Sequence, residues 1–274
     1  MNSNSSFSPR RRYTVGLALL VATSGLALTA CGGADDVRTA SSTATAVPDG
    51  QPSAGSDKKG AGPDKLLWMG DSIGEAQAPA LGAAMAAGGM EFKSVAAAGG
   101  GGVVVGEIAA PTWETLPKEL ASFKPDVVAY QITTFDWGTP EEQRAAYERL
   151  AKTVNDADAE LVIVSAPPFK IDDFYKPNAA AIDTAPKSAK SVADQNTDTV
   201  HFLDASTLWG TDSTAAKAQR SKDGIHSCQQ GSAAFAQWFG KKLNALYAFT
   251  PAAADQWATG AWTAERVYGK FGCS

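Results

Sequence analysis

The stretch ELVIVSAPP (160–168) is almost unbroken in apolar residues up to its prolines. A strand without polar alternation has to be covered on both faces, which is the condition of a parallel strand inside an α/β domain. DVVAYQI (126–132) has the same character, and so does Leu66–Met69 in KLLWMGDSIGE (65–75), where Gly70 ends the run. EFKSVA (91–96) alternates weakly and reads as a further strand, as does TVHFLDA (199–205). Helical patterns lie between these runs. Pro79 fits a first helical turn, with Leu81 and Met85 following at i, i+4 spacing. In TTFDWGTPEEQRAAYERLAKTVND, Thr139 is placed to cap, Pro140 to take the first helical position and Glu142 to complete a capping box. A helix is expected around 181–195, and a last long one from about Gln230 to Leu246, with Phe235, Trp238, Phe239, Leu243 and Leu246 on its apolar face. This alternation predicts a three-layer α/β domain with a mainly parallel sheet of five strands.

The chain opens with a segment to be set apart from the fold. Arg10, Arg11 and Arg12 precede an apolar run from Val15 to Leu28, and LTAC (28–31) follows. The run is too short and too rich in Ala, Gly, Ser and Thr for a transmembrane helix, so residues 1–30 read as an export signal. Leu-Thr-Ala-Cys resembles the bacterial lipobox, which would make Cys31 the lipid-modified N-terminus on the outer face of the cell membrane. The alternatives are an ordinary secretory peptide and, against the polar Thr14, a twin-arginine signal. Residues 31–63 are dominated by Gly, Ala, Ser, Thr, Asp and Pro, the composition of a tether. Residues 64–274 remain as one domain.

Removing the three arginines takes the formal charge from −5 to −8. That balance argues against nucleic acid and against electrostatic adhesion to anionic lipid. No Cys/His cluster has metal-ligand spacing, so neither a metal nor another cofactor is expected. If Cys31 carries lipid, Cys228 and Cys273 remain as a pair in an oxidising compartment, where a disulfide is favoured over two buried thiols. Such a bridge would hold the aromatic tail (Trp257, Trp262, Tyr268, Phe271) beside the segment around residue 226, as a wall of the site. The tail aromatics themselves are expected to pack against the domain.

Ser72 is left on a tight connection at the C-terminal end of the first strand, where ligands bind in open α/β sheets. The chain has only two histidines. His226 lies in DGIHSCQQG, three residues after Asp223 and just before the last helix, a spacing that lets the carboxylate fold back to Nδ1–H and turn Nε2 outward as a base. His201 sits inside a strand pattern and is expected to be structural.

Gly-Asp-Ser after the first strand, a glycine-rich loop (AAAGGGGVVVG) after the second and Asp-x-x-His before the final helix together resemble the SGNH hydrolases, the GDSL esterase family, over residues 65–247. The resemblance implies a flavodoxin-like sandwich, with Ser72 as nucleophile, His226 as general base and Asp223 as the residue that orients it. No Gly-x-Ser-x-Gly elbow is present, which disfavours the α/β-hydrolase superfamily. The Ser72 N–H and that of Gly102 or Gly101 match two of the family's three oxyanion donors. The third departs from the pattern. Where the family carries Gly-x-Asn-Asp, this chain reads Thr133-Thr134-Phe135-Asp136, with Phe135 at the asparagine position. Thr133, Thr134 and Gln131 are the candidates to replace the missing amide, a threonine hydroxyl first among them. SGNH domains of membrane O-acyltransferases that act on surface polysaccharides also lack much of this motif.

The expected function is therefore that of a lipid-anchored esterase or O-acyltransferase acting on acyl esters, with acetyl groups of envelope glycans as the substrate class, working as a monomer. The alternative is a carbohydrate-binding lipoprotein that keeps the fold without catalysis. A thioesterase or lysophospholipase is a further, weaker possibility.

Overall fold

The computed structural model describes residues 62–273; the expected export signal, Cys31 and nearly all of the expected tether lie outside them. Five parallel strands form one sheet: β1 (Lys65–Met69), β2 (Glu91–Ser94), β3 (Val127–Gln131), β4 (Glu160–Val164) and β5 (Val200–Leu203). Their order is β2-β1-β3-β4-β5, the flavodoxin-like arrangement. The chain reverses its direction of growth between β1 and β3, which opens a crevice at the carboxyl ends of these two strands. Seven α-helices accompany the sheet among the described residues: α1 (Ser72–Ala87), α2 (Gly106–Phe123), α3 (Pro140–Asn155), α4 (Ala179–Gln195), α5 (Ser206–Trp209), α6 (Gln229–Leu246) and α7 (Arg266–Lys270).

Each central strand sends alternate side chains into two cores. Leu66, Trp68, Ala129, Val162 and Val164 meet α1, α6 and the C-terminal tail on one face. Leu67, Met69, Val128, Tyr130, Leu161 and Ile163 meet α2, α3 and α4 on the other. Both sets are buried, which is why these strands carry no polar alternation. Trp68 anchors the first core. Its ring lies 5.6 Å from Phe235 and 5.7 Å from Phe239, and its indole N–H donates to the Gly74 carbonyl at 3.0 Å, fixing the first turn of α1 against the sheet.

Several elements follow the sequence pattern closely. Thr139 caps α3 with the full capping box, its hydroxyl accepting from the Glu142 N–H while the Glu142 carboxylate accepts from the Thr139 N–H. Phe235, Phe239 and Leu243 of α6 are buried, while Trp238 and Leu246 pack at the edge of the same core.

Two expectations need correction. Pro79 does not begin a helix: α1 starts at Ser72, capped by Asp71, and Pro79 lies inside it. An interior proline costs about 3 kcal/mol, and the burial of Ile73, Ala76, Ala80, Leu81 and Met85 along the same helix offsets that loss. The second is α2, which the sequence did not announce, because glycines precede it and Pro111 and Pro117 interrupt it. Its buried residues Thr112, Leu116, Leu120 and Phe123 nevertheless keep the helical spacing.

The tail packs as expected. Trp257, Trp262 and Tyr268 are buried in the first core, and Cys228 and Cys273 form a disulfide across a sequence separation of 45 residues. Chain entropy for a loop of that length amounts to roughly 4 kcal/mol. The double variant Cys228→Ser/Cys273→Ser is accordingly expected to unfold at clearly lower urea than the oxidised protein, and coincident unfolding curves would contradict a stabilising bridge.

Candidate active site

Ser72 is the first residue of α1, directly behind the cap. The buried Asp71 carboxylate accepts from the Ile73 N–H through Oδ1 at 2.9 Å. Its Oδ2 accepts from the Thr134 N–H at 2.7 Å and the Thr134 hydroxyl at 2.8 Å. One carboxylate thus caps α1 and ties it to the loop after β3. Burial raises the Asp71 pKa, and the hydrogen bonds from Thr134 and Ile73 oppose that rise. The Ser72 N–H sits at the helix N-terminus, among the orphan donors that carry the positive end of the helix dipole.

His226 arrives on a small closed loop before α6. The Ser221 N–H donates to the His226 carbonyl at 2.7 Å, and Arg220 and Ser227 form an antiparallel bridge. Gly224 turns the loop with a φ of +76°. The Arg220 guanidinium closes it from beneath, donating to the Ile225 carbonyl at 2.9 Å and lying 4.7 Å from the Trp209 ring centre. On this frame Asp223 Oδ2 lies 2.6 Å from His226 Nδ1, and His226 Nε2 lies 2.7 Å from Ser72 Oγ. The three side chains form one continuous hydrogen-bonded relay. Partial burial opposes ionisation of Asp223, but hydrogen bonds from the Ser221 hydroxyl, the His226 ring and the N–H groups of Ile225 and His226 outweigh it and bring the pKa down to about 2. Asp223 is therefore a carboxylate at any pH near neutrality, with the acceptor that fixes the His226 tautomer. His201 stands apart from this relay, 3.2 Å from Glu160 on the neighbouring strand and edge-on to Tyr247.

The glycine loop after β2 meets the relay through its backbone. Gly101 has a φ of +80°, and a Cβ there would lie 2.0 Å from the Gly70 carbonyl oxygen. Gly102 is held less tightly: a Cβ would stand 3.1 Å from Thr133 Oγ1 and 3.3 Å from Asp136 Oδ1. Among the described residues, the N–H groups of Ser72, Gly101 and Gly102 donate to no acceptor.

Thr133, Thr134 and Gln131, the residues considered for a third donor, each carry a hydrogen bond to another group. The Thr133 hydroxyl donates to Asp136 Oδ1 at 3.1 Å and accepts from the Phe135 N–H at 3.3 Å. The Thr134 hydroxyl donates to Asp71. A hydroxyl has one proton, so neither threonine has one left for an oxyanion. Gln131 is fully buried with its amide donating to Gln77 of α1 at 2.8 Å.

The residue that organises this region, Asp136, was not singled out by sequence. Its buried carboxylate accepts from the hydroxyls of Tyr130 at 2.6 Å, Tyr147 at 3.1 Å and Thr133 at 3.1 Å, and from the N–H groups of Val103 at 3.1 Å and Thr133 at 3.3 Å. Burial raises the Asp136 pKa against these donors, and burial beside Asp136 raises both tyrosines well above their usual value.

Aromatic rings line the rim. Phe135 packs 5.7 Å from Trp137 and 6.4 Å from Phe174, whose side chain stands 60% exposed on the loop after β4. Phe169, Tyr175 and Ile225 extend this apolar patch to Ile73, the neighbour of Ser72. On the other side, the Phe271 ring of the tail lies flat on His226, with ring centres 3.7 Å apart. The tail is thus a wall of the site.

No protein-family model and no curated protein matches the chain. Solved structures match its fold. A GDSL-like lipase from Bacteroides thetaiotaomicron superposes with a TM-score of 0.53 at 12% identity, over 67% of this chain and 89% of that one. A serine-to-alanine variant of an acetyl esterase, with an acetate ion, does so with a TM-score of 0.52 at 16% identity, over 66% and 97% of the two chains. A salicylyl-acyltransferase from a tetracycline biosynthetic pathway gives a TM-score of 0.50 at 19% identity, over 69% of this chain and 56% of that one. At these identities the likeness establishes a shared three-layer fold.

Two substitutions test the framework. Asp136→Ala would strand two tyrosine hydroxyls, a threonine hydroxyl and two N–H groups in the interior, and is expected to destabilise the domain by about 3 to 5 kcal/mol in urea denaturation. Gly101→Ala forces a Cβ into the Gly70 carbonyl, so the loop must move. The expected sign is an altered near-UV circular dichroism spectrum with helix content unchanged.

Proposed function

We propose that this protein is an SGNH-type serine esterase or O-acyltransferase. The observation that carries the reading is the relay from Asp223 through His226 to Ser72, with both contacts under 2.8 Å. In this reading Ser72 Oγ attacks the acyl carbonyl carbon while His226 Nε2 takes the hydroxyl proton, and Asp223 holds the imidazolium that results. The tetrahedral oxyanion is met by the Ser72 N–H at the start of α1 and by the N–H of Gly101 or Gly102, donors already free of other partners. Collapse expels the alcohol, which takes the proton back from His226, and leaves an acyl-Ser72 ester. Water or a second alcohol, deprotonated by the same histidine, then releases the acyl group.

Fold neighbours that are a lipase, an acetyl esterase and an acyltransferase support chemistry at an acyl ester. The finer reading places the enzyme outside the cytoplasm, anchored through lipid on Cys31, working as a monomer on acetyl esters of an envelope polysaccharide. The lipobox-like LTAC and the missing third motif support that choice. A second reading, a carbohydrate-binding module without turnover, is favoured by Phe135 at the rim and by the engagement of both threonine hydroxyls.

Labelling with a serine-reactive fluorophosphonate separates the two readings. The enzyme reading expects modification of Ser72, its loss in His226→Ala, and nearly complete loss of p-nitrophenyl acetate hydrolysis in Ser72→Ala and His226→Ala. The double variant should be little worse than either alone, because the pair acts as a unit. A folded wild-type domain with neither label nor turnover would leave the binding reading standing.

With only backbone donors at the oxyanion, Phe135→Asn is expected to raise kcat/KM about tenfold or more, since one well-aimed donor is worth that much. An unchanged or lower rate would mean that the site is complete without it.

A further inference from the structure

We propose that Phe271 is a positioning residue for His226 and that the Cys228–Cys273 disulfide is the clamp that keeps it in place. The proposal rests on His226 being the general base. Its geometric basis is the stack itself: the two rings lie 9° from parallel with centres 3.7 Å apart, in full face-to-face contact. The bridge stands in register with that stack, because Cys228 follows His226 by two residues and Cys273 follows Phe271 by two. Between Phe271 and Cys273 the chain turns at Gly272, whose φ is +72°. Ser227, on the other arm, is fully buried. The same tail is tied to the first turn of α1, where Lys270 Nζ lies 3.3 Å from Glu75, and it is rooted in the core by the buried Tyr268 beside Trp262.

The contact supplies what the Asp223 hydrogen bond alone does not. A bond at Nδ1 holds one atom of the imidazole, and the terminal torsion of a histidine side chain is broad, so the ring remains free to rock about that bond and swing Nε2 away from Ser72. A flat ring pressed on one face blocks the rocking, because any tilt has to push the two rings apart. When His226 takes the serine proton, the imidazolium faces the electron-rich face of Phe271, a favourable cation–π arrangement. The effect falls on proton transfer and leaves substrate binding untouched.

The test compares Phe271→Ala, Phe271→Leu, Phe271→Tyr and Cys228→Ser/Cys273→Ser with the wild-type protein, each first shown to be folded by circular dichroism. Phe271→Ala and the double serine variant are expected to lose about tenfold or more in kcat on p-nitrophenyl acetate, as misplacement of a reacting group does, with KM nearly unchanged. Phe271→Tyr should restore the rate. Phe271→Leu should not, because it fills the volume without a flat face.

A second readout does not depend on turnover. Diethyl pyrocarbonate modification, mapped by mass spectrometry, should proceed several-fold faster at His226 in Phe271→Ala and in the double serine variant, with His201 as the internal reference. Unchanged modification at His226 in Phe271→Ala overturns the stack, and a Phe271→Leu protein as fast as wild type overturns the positioning role. If the wild-type protein shows no turnover and no fluorophosphonate labelling, the esterase reading fails, and the His226 modification rates still decide whether the clamp exists.

Discussion

The carboxylate of Asp71 joins two requirements that usually fall to separate residues. It satisfies an orphan N–H at the start of α1, which allows the helix to begin at Ser72, and it binds the backbone and hydroxyl of Thr134, which fixes the loop after β3 against that helix. Without this link the two strands flanking the switch point would carry independent loops. Asp136 extends the same device. Through Val103 it reaches the glycine loop after β2, and through Tyr147 it reaches α3. Two buried carboxylates, each surrounded by donors, thus bind three loops into one frame. Burying a charge is costly unless hydrogen bonds replace its hydration, and here the replacements are what hold the frame together.

The frame has a chemical consequence. Both threonine hydroxyls of the loop after β3 are already engaged, Thr133 by Asp136 and Thr134 by Asp71. In the proposed reaction, stabilisation of a developing negative charge would fall to N–H groups of the backbone, at the helix start and in the glycine loop. Donors of this kind are preorganised by the fold and need no reorientation during reaction. Gly101 makes that possible, since its positive φ and its closeness to the Gly70 carbonyl leave no room for a side chain. Phe135 is left to the rim, where it joins Trp137 and Phe174 in an apolar surface instead of offering an amide to the reacting carbonyl.

What the sequence made legible follows from how local each signal is. The buried strands were readable because a short, unbroken apolar run rich in β-branched residues fits little besides a strand covered on both faces. The start of α3 was readable because Thr139, Pro140 and Glu142 form a complete motif within four residues. The pairing of Asp223 with His226 was readable for the same reason, since it closes within one short loop. The start of α1 was misread because Pro79 suits a first helical turn, whereas the helix begins at Ser72 behind the Asp71 cap, where packing of Ile73 and Ala76 holds it. The role of the threonines was not readable at all. Whether a hydroxyl is free depends on its partners: for Thr134 the partner is Asp71, 63 residues earlier in the chain, and no local pattern reveals it. Asp136 escaped notice on the same ground, because its meaning lies in donors drawn from β3, α3 and the glycine loop.

The tail raises the remaining physical question, which is why a sheet already covered on both faces carries more chain after α6. Helical turns as short as those after residue 253 are not stable alone, so the segment depends on Trp257, Trp262 and Tyr268 in the core and on the disulfide at its end. Those attachments come from elements that also matter to the relay: α1 begins with Ser72, and Cys228 adjoins the loop of His226. Docking of the tail and orientation of the His226 ring therefore stabilise each other. A chain ending after α6 would strip Trp257, Trp262 and Tyr268 from the first core and leave one face of His226 bare, whereas a docked tail gives the imidazole a fixed plane as well as a fixed tautomer. Asp223 supplies the tautomer from within the loop, and only a segment from elsewhere in the chain, held by a covalent link, is placed to supply the plane.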